Sequence, residues 1–204
     1  MRCLTSPEGL SHRRAHSGTR VGMAGHRGAM PSLNVAPMTV RPIRILGDPI
    51  LRTECDPVTS FDAELRALVS DLLDTLLGVD GRAGVAAPQI GISARVFAYN
   101  ASGQVGYLVN PSLVVGEERQ GGEEGCLSLP GLFFPTPRAE RVVARGVDQN
   151  GEPITIEASG FLARALQHET DHLHGRLYVD TLIGDVRRQA LRAIRSAPWA
   201  APTR

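Results

Sequence analysis

Residues His168-Glu169-Thr170-Asp171-His172 constrain this chain more than any other stretch. Two histidines four positions apart share one face of an α-helix. The segment must therefore be helical if both imidazoles are to reach one metal ion. A glutamate beside the first histidine is then placed to handle a proton on water at that metal. The bare pattern also has a plainer reading, an exposed helical turn with scattered charges. The rest of the chain has to choose between them.

Composition works by exclusion. The 204 residues suffice for one domain with a full core. A content of 42% hydrophobic and 21% charged residues is ordinary for a globular protein, and a net charge of +1 points to no nucleic-acid surface. All 22 basic residues are arginine. That removes Schiff-base chemistry, a lysine nucleophile and a Walker-type phosphate loop, although a GC-rich coding sequence would leave the same mark. No apolar run approaches the roughly 20 residues that span a bilayer, so no membrane association is expected. Cys3, Cys55 and Cys126 are odd in number and irregular in spacing. This suits free thiols in a reducing, cytoplasmic compartment rather than a disulfide framework.

Residues 1–38 differ in texture from the rest. They are rich in Gly, Ser, Pro, Arg and His, and carry Arg2, Arg13, Arg14, Arg20 and Arg27 against the single acid Glu8. Without an apolar core to this stretch, it reads as a disordered N-terminal extension rather than a secretory signal or organellar transit peptide. Translation starting at Met38, Met30 or Met23 would make part of it an artefact of start-site choice. The folded domain is expected from residue 39 to residue 204.

Within that domain the periodicity predicts a helix over 60–77, with Leu65, Leu68, Val69, Leu72, Leu73, Leu76 and Leu77 on its core face. Ser60 or Thr59 would cap it, and Gly78 and Gly81 would end it. Short strands are expected at Arg95–Tyr99, Val105–Val109, Leu113–Val115, Glu140–Arg145 and Pro153–Glu157, with a hairpin turn at Asn150-Gly151. A second helix spans about 160–174 and carries the histidine pair. A third runs from about 184 to 196. Strands and helices are segregated, which predicts an α+β fold: one domain, with mixed or antiparallel sheets packed around a central metal-binding helix.

A catalytic metal site of this kind needs a third protein ligand and an open position. Downstream there is no histidine at the spacing used by some metallopeptidases, where Tyr178 stands instead. No glutamate follows Glu169, and Asp180 and Asp185 lie in no recognisable ligand context. Of the six histidines, His12, His16 and His26 are in the tail, and His174 points to another face of the helix. Cys126, in Glu124-Gly125-Cys126-Leu127-Ser128, is the upstream candidate, since a thiolate binds Fe(II) or Zn(II) strongly. Taken alone it reads equally as a small buried hydrophobe, as does Cys55.

Three separated segments now resemble the peptide deformylase family: Gly84-Val85-Ala86-Ala87-Pro88-Gln89-Ile90-Gly91, Glu124-Gly125-Cys126-Leu127-Ser128, and Gln167-His168-Glu169-Thr170-Asp171-His172. Arg41–Leu51 and Pro137-Arg138-Ala139 are also similar, and the resemblance covers about residues 39–195. It implies one divalent metal held by Cys126, His168 and His172 with water as fourth ligand. Fe(II) is implied as the native ion, with Zn(II), Ni(II) or Co(II) as substitutes. The implied reaction is removal of the formyl group from formylmethionyl peptides on nascent chains, near the ribosomal exit tunnel. Glu169 would be the acid–base group, with the Gln89 side chain and the Leu127 backbone N–H as oxyanion donors. Gly84 and Gly125 would let a substrate strand approach closely, though both glycines also suit ordinary turns. Phe161 and Ala165 fall on the helical stripe of His168 and His172 and would wall the methionine pocket; plain core packing explains them as well.

Two departures from the family pattern stand out. Arg82 occupies the place of a usual glycine, where a substrate strand should pair. Residues Gly131–Pro135 lack an arginine that some members use on the distal substrate. The rival readings are an HExxH endopeptidase and a non-catalytic binder of formyl-peptides.

Overall fold

The computed structural model describes residues 39–200, so the expected disordered extension at 1–38 lies outside the described residues. The chain runs through α1 (Ala63–Leu77), β1 (Gly84–Ala86), β2 (Val96–Ala101), β3 (Gln104–Val115), β4 (Arg119–Gln120), β5 (Glu123–Cys126), β6 (Leu129–Pro135), β7 (Arg138–Ala139), β8 (Arg141–Val147), β9 (Pro153–Ser159), α2 (Gly160–Leu173) and α3 (Gly184–Ser196). This is the expected α+β class. Five strands form one sheet in the order β1-β2-β3-β8-β9, beside the two-stranded pairs β4-β7 and β5-β6. Every pairing is antiparallel. No helix among the described residues is long and apolar enough to cross a membrane.

Strand alternation decides where the helices sit. Val96 and Ala98 of β2 pack with Leu65, Leu68, Val69, Leu72 and Leu76 of α1, whereas Phe97, Tyr99 and Ala101 pack with Leu162, Ala165 and Leu166 of α2. Successive side chains leave opposite faces of a strand, so β2 lies between two helices and is buried on both sides. A third cluster joins Cys126 and Leu129 to Leu177, Tyr178, Leu182 and Ala190, which seats α3 near the β5–β6 hairpin.

Boundaries differ from the sequence expectation in instructive ways. Helix α1 is capped by Asp62, whose side chain accepts from the N–H groups of Glu64 and Leu65, not by Ser60 or Thr59. An aspartate two residues nearer the apolar run satisfies the orphan N–H groups directly. The two strands expected at 105–109 and 113–115 are one strand, β3, interrupted by a register shift between Val109 and Ser112 with Asn110 at φ +50°. The Asn110 amide there bridges to the Val58 backbone, which holds the bulge in place. Strands β1 and β5, which flank the candidate site, escape the periodicity reading because they are three and four residues long.

Candidate metal centre

Helix α2 is buried around most of its circumference, including the polar residues Arg164, Gln167, His168, Glu169, Thr170 and His172. Burial of so many polar groups requires partners. Gln167 supplies one set. Its side chain accepts from the Ala139 N–H at 3.0 Å and donates to the carbonyls of Ala139 at 3.0 Å and Ala163 at 2.9 Å, pinning α2 to β7. Glu124 of β5 supplies another and has no exposed surface. His168 Nδ1 lies 2.9 Å from Glu124 Oε2, and Arg138 reaches the two carboxylate oxygens at 2.7 and 3.0 Å. Arg138 continues to Asp171 at 2.6 Å.

With Nδ1 of His168 occupied, its other nitrogen faces Cys126. The Cys126 sulfur is 3.3 Å from His172 Nε2, and one ligand atom from each of Cys126, His168 and His172 falls within 4.8 Å of the other two. A tetrahedral centre with bonds of about 2.0–2.3 Å places its ligand atoms roughly 3.3–3.8 Å apart; the Cys126–His172 separation falls at the lower end of that range, and the third donor lies within 4.8 Å of both. No other group of three such donors occurs among the described residues. Asp180, one alternative from the sequence, is bound to Arg52 and the Leu177 N–H; Asp185 pairs with Arg188 on the surface. His174 lies at the surface beside Glu54. Tyr178, at the position of a third histidine in some peptidases, donates to the Leu132 carbonyl and stacks on His168 at 6.0 Å.

Electrostatics also favour a cation here. Burial opposes charge on His168, yet its bonds to Cys126 and Glu124 raise its pKa well above the ordinary histidine value. Burial lowers His172 well below that value, and the neighbouring His168 lowers it further. Burial likewise works against the Glu124 carboxylate, but hydrogen bonds from His168 and Arg138 outweigh it and bring the pKa to about 2. The pocket of donors thus calls for positive charge that two adjacent imidazolium ions cannot share. A divalent ion bound to a thiolate and two neutral imidazoles answers that demand.

Glu169 is 2% exposed, and its Oε2 has no protein partner. Burial raises its pKa to about 7. It lines a narrow cleft of about 20 Å³ with Gly81, Ala83, Gly84, Gln89, Gly125, Cys126, Leu127 and His168. Gln89 is oriented without ambiguity. Its Oε1 accepts from the Ala86 N–H at 2.9 Å, which turns the NH₂ group toward Cys126 Sγ at 3.5 Å and Ser128 Oγ at 3.2 Å. Ser128 is fully buried; it belongs to the second of the three sequence motifs, yet nothing in the sequence assigns it a role. Leu127 and Ser128 form the two-residue turn between β5 and β6.

The expected site residues divide accordingly. Cys126, His168, His172, Glu169, Gln89, Leu127, Gly84 and Gly125 come together. Phe161 and Ala165 do not line the cleft: Ala165 is fully buried in the core with Phe97 and Leu166, and Phe161 packs against that cluster. On a helix enclosed on nearly all sides, lying on the ligand stripe does not select the cleft. The two glycines are explained by space. A Cβ on Gly84 would meet Glu169 Oε1 at 2.1 Å, and one on Gly125 would meet the Phe133 ring at 2.4 Å. The Arg82 side chain turns away from the cleft and donates to the Thr75 carbonyl in the last turn of α1. It therefore does not block the edge of β1, which ends the five-stranded sheet.

Several kinds of metallohydrolase could use such donors, so similarity along the whole domain has to discriminate among them. A family model described as polypeptide deformylase matches residues 40–188. The peptide deformylase of Acidothermus cellulolyticus is 57% identical over 166 residues, covering 81% of this chain and 92% of the relative. That of Parafrankia sp. is 55% identical over 165 residues, covering 80% and 90%. The crystal structure of peptide deformylase from Thermus thermophilus superposes with a TM-score of 0.72 at 41% identity, covering 77% of this chain and 94% of that one. Identity this high, carried through the helix, cleft and sheet alike, makes this chain a member of the polypeptide deformylase family.

Proposed function

We propose that this chain hydrolyses the N-terminal formamide of formylmethionyl peptides, releasing formate and a free amino terminus. The observation that carries the reading is the convergence of the Cys126-His168-His172 donors, Glu169 and the Gln89 amide on one cleft. We assign Cys126, His168 and His172 as ligands of one divalent ion. Fe(II) is the native ion in this reading and Zn(II), Ni(II) and Co(II) are substitutes, since a thiolate with two imidazoles accepts all four. When bound, that ion supplies Lewis acidity and makes water a nucleophile near neutral pH.

The protein's own groups do the rest. Glu169, with a pKa of about 7, takes a proton from the attacking water and returns it to the departing amine nitrogen. The formyl carbon becomes tetrahedral and its oxygen gains negative charge. In this assignment the Gln89 NH₂ and the Leu127 N–H stabilise that charge, each worth on the order of 10²–10³ in rate. The peptide lies as an added strand between the free edge of β1 and the Gly125–Leu127 segment, with nascent chains leaving the ribosome in the cytoplasm as its source.

The test is formate release from formyl-Met-Ala-Ser by protein prepared anaerobically with Fe(II). Multiple turnovers are expected; release no greater than that of a Glu169→Ala control sinks the assignment. A second expectation follows from the crowding at Gly84. Gly84→Ala must displace the Glu169 side chain, because its Cγ as well as its carboxyl atoms lie within 2.7 Å of the new methyl. A shift of about 1 Å in a reacting group can lower the rate about 10²-fold. Turnover should drop by that order while metal content stays at the wild-type level; retention of wild-type turnover would place Glu169 outside the chemistry.

A further inference from the structure

Arg164 sits one helical turn before His168, on the same face of α2. It is 3% exposed, an unusual place for a guanidinium. Its Nη1 donates to Glu124 Oε1 at 2.9 Å and to the Thr136 carbonyl at 2.7 Å, and its Nη2 donates to the Gly121 carbonyl at 2.9 Å. Glu124 thereby receives four contacts. Oε1 takes Arg138 Nε and Arg164 Nη1, and Oε2 takes Arg138 Nη2 and His168 Nδ1.

Each contact has a different consequence. Arg138 binds the carboxylate side-on through two nitrogens and fixes its distance from β7. By itself this fork leaves the carboxylate free to tilt. Arg164 binds one oxygen from a third direction and is itself anchored to the two backbone segments that flank β5 and β6. The carboxylate plane is then fixed, and so is the oxygen that faces His168. An ionised carboxylate only accepts, so His168 Nδ1 must carry the hydrogen and Nε2 must present its lone pair to the metal position.

We propose that Arg164 is a positioning residue for metal binding, holding Glu124 so that His168 stays in the ligating tautomer and orientation. It touches neither metal nor substrate. The inference rests on the assignment of Cys126, His168 and His172 as ligands, which is tested separately by the metal stoichiometry of wild-type and Cys126→Ser protein.

The experiment measures the Co(II) dissociation constant by competition with a chelator, and the thiolate-to-Co(II) absorption band, on wild type, Arg164→Met, Glu124→Gln and the double variant. Loss of a hydrogen-bonding partner of a ligand lowers affinity about 10–100-fold. Arg164→Met should weaken Co(II) binding about ten-fold. In a Glu124→Gln background the same change should have less than a two-fold effect, because the path through Glu124 is already broken. Unchanged affinity in Arg164→Met, or losses that simply multiply in the double variant, would overturn the proposal. Should Arg164→Met not fold, Arg164→Lys keeps the charge and one donor. Its Co(II) affinity must fall at least three-fold, and wild-type affinity in that variant overturns the proposal equally. Wild-type protein that binds no Co(II) at all refutes the ligand assignment instead.

Discussion

Cys126→Ser protein, purified and dialysed beside wild type, should retain less than one-tenth of the wild-type metal and show no formate release. Cys126 ends β5 with 2% of its surface exposed, its sulfur 3.3 Å from His172 Nε2. A thiolate neutralises half of a divalent ion's charge and matches Fe(II), Zn(II) or Co(II) in softness; a serine hydroxyl at neutral pH does neither. Removal of a mere partner of a ligand costs about 10–100-fold in affinity, so losing the anionic ligand itself should exceed that range. The fold has no reason to fail, because a serine hydroxyl at this position can accept from the Gln89 amide that now points at the sulfur. Metal content by elemental analysis, with thermal unfolding as the folding control, decides the matter. A stoichiometric ion in folded Cys126→Ser would mean that the third ligand lies elsewhere.

The three helices were legible because their information is local. The leucine spacing of α1, the histidine pair of α2 and the arginine-rich third helix each repeat at 3–4 residues, and the observed bounds fall within a few residues of those expected. Seven-residue β6, broken by Pro130, Gly131 and Pro135, was missed, whereas β2, β3, β8 and β9 were legible for the same reason. Strand β5 was not. Its sequence Glu123-Glu124-Gly125-Cys126 has none of the residues that favour strands, and it exists because β6 pairs with it and Arg138 and Arg164 neutralise Glu124 from sites 14 and 40 residues away. The Arg164 part of that support lies beyond any local window of sequence.

The site divides along the same line. His168 and His172 declare themselves by spacing, and Cys126 by the lack of a downstream alternative together with the family resemblance. The bracing around them does not. Glu124, Arg164, Gln167 and Ser128 are ordinary polar residues until tertiary structure buries them, and a buried polar group is visible only once its surroundings are known. Arg82 shows the converse. Its position in the sequence suggested an obstacle at the substrate edge, but a long side chain can reach elsewhere, and this one reaches the open end of α1, where unpaired carbonyls attract a cation. Phe161 and Ala165 failed to reach the cleft because helical phase identifies a shared face, whereas α2 has core on almost every face.

Glu169→Gln should lower kcat by about 10²–10⁴, the usual worth of a positioned acid–base group, while leaving metal affinity within about two-fold. The substitution isolates proton transfer. Glutamine has the same shape, so it keeps the contact with Gly84 that a smaller residue would lose. Its amide can neither accept the proton of the attacking water nor pass one to the amine. Metal binding should survive, because none of the ligand atoms hydrogen-bonds Glu169: His168 is held by Glu124, and Cys126 by Gln89 and His172. This separates Glu169 from Cys126, whose loss removes metal and activity together. It also separates it from Gln89, whose substitution by alanine should reduce turnover and, by removing a hydrogen bond to the Cys126 sulfur, weaken metal binding too, while leaving the pH profile of the chemical step unchanged. Single-turnover assays on the iron-loaded variant would read the chemical step directly. If Glu169→Gln kept more than a tenth of the wild-type rate with its full metal content, the proton would have to travel by another group. Among the described residues that line the cleft, no second carboxylate is available to carry it.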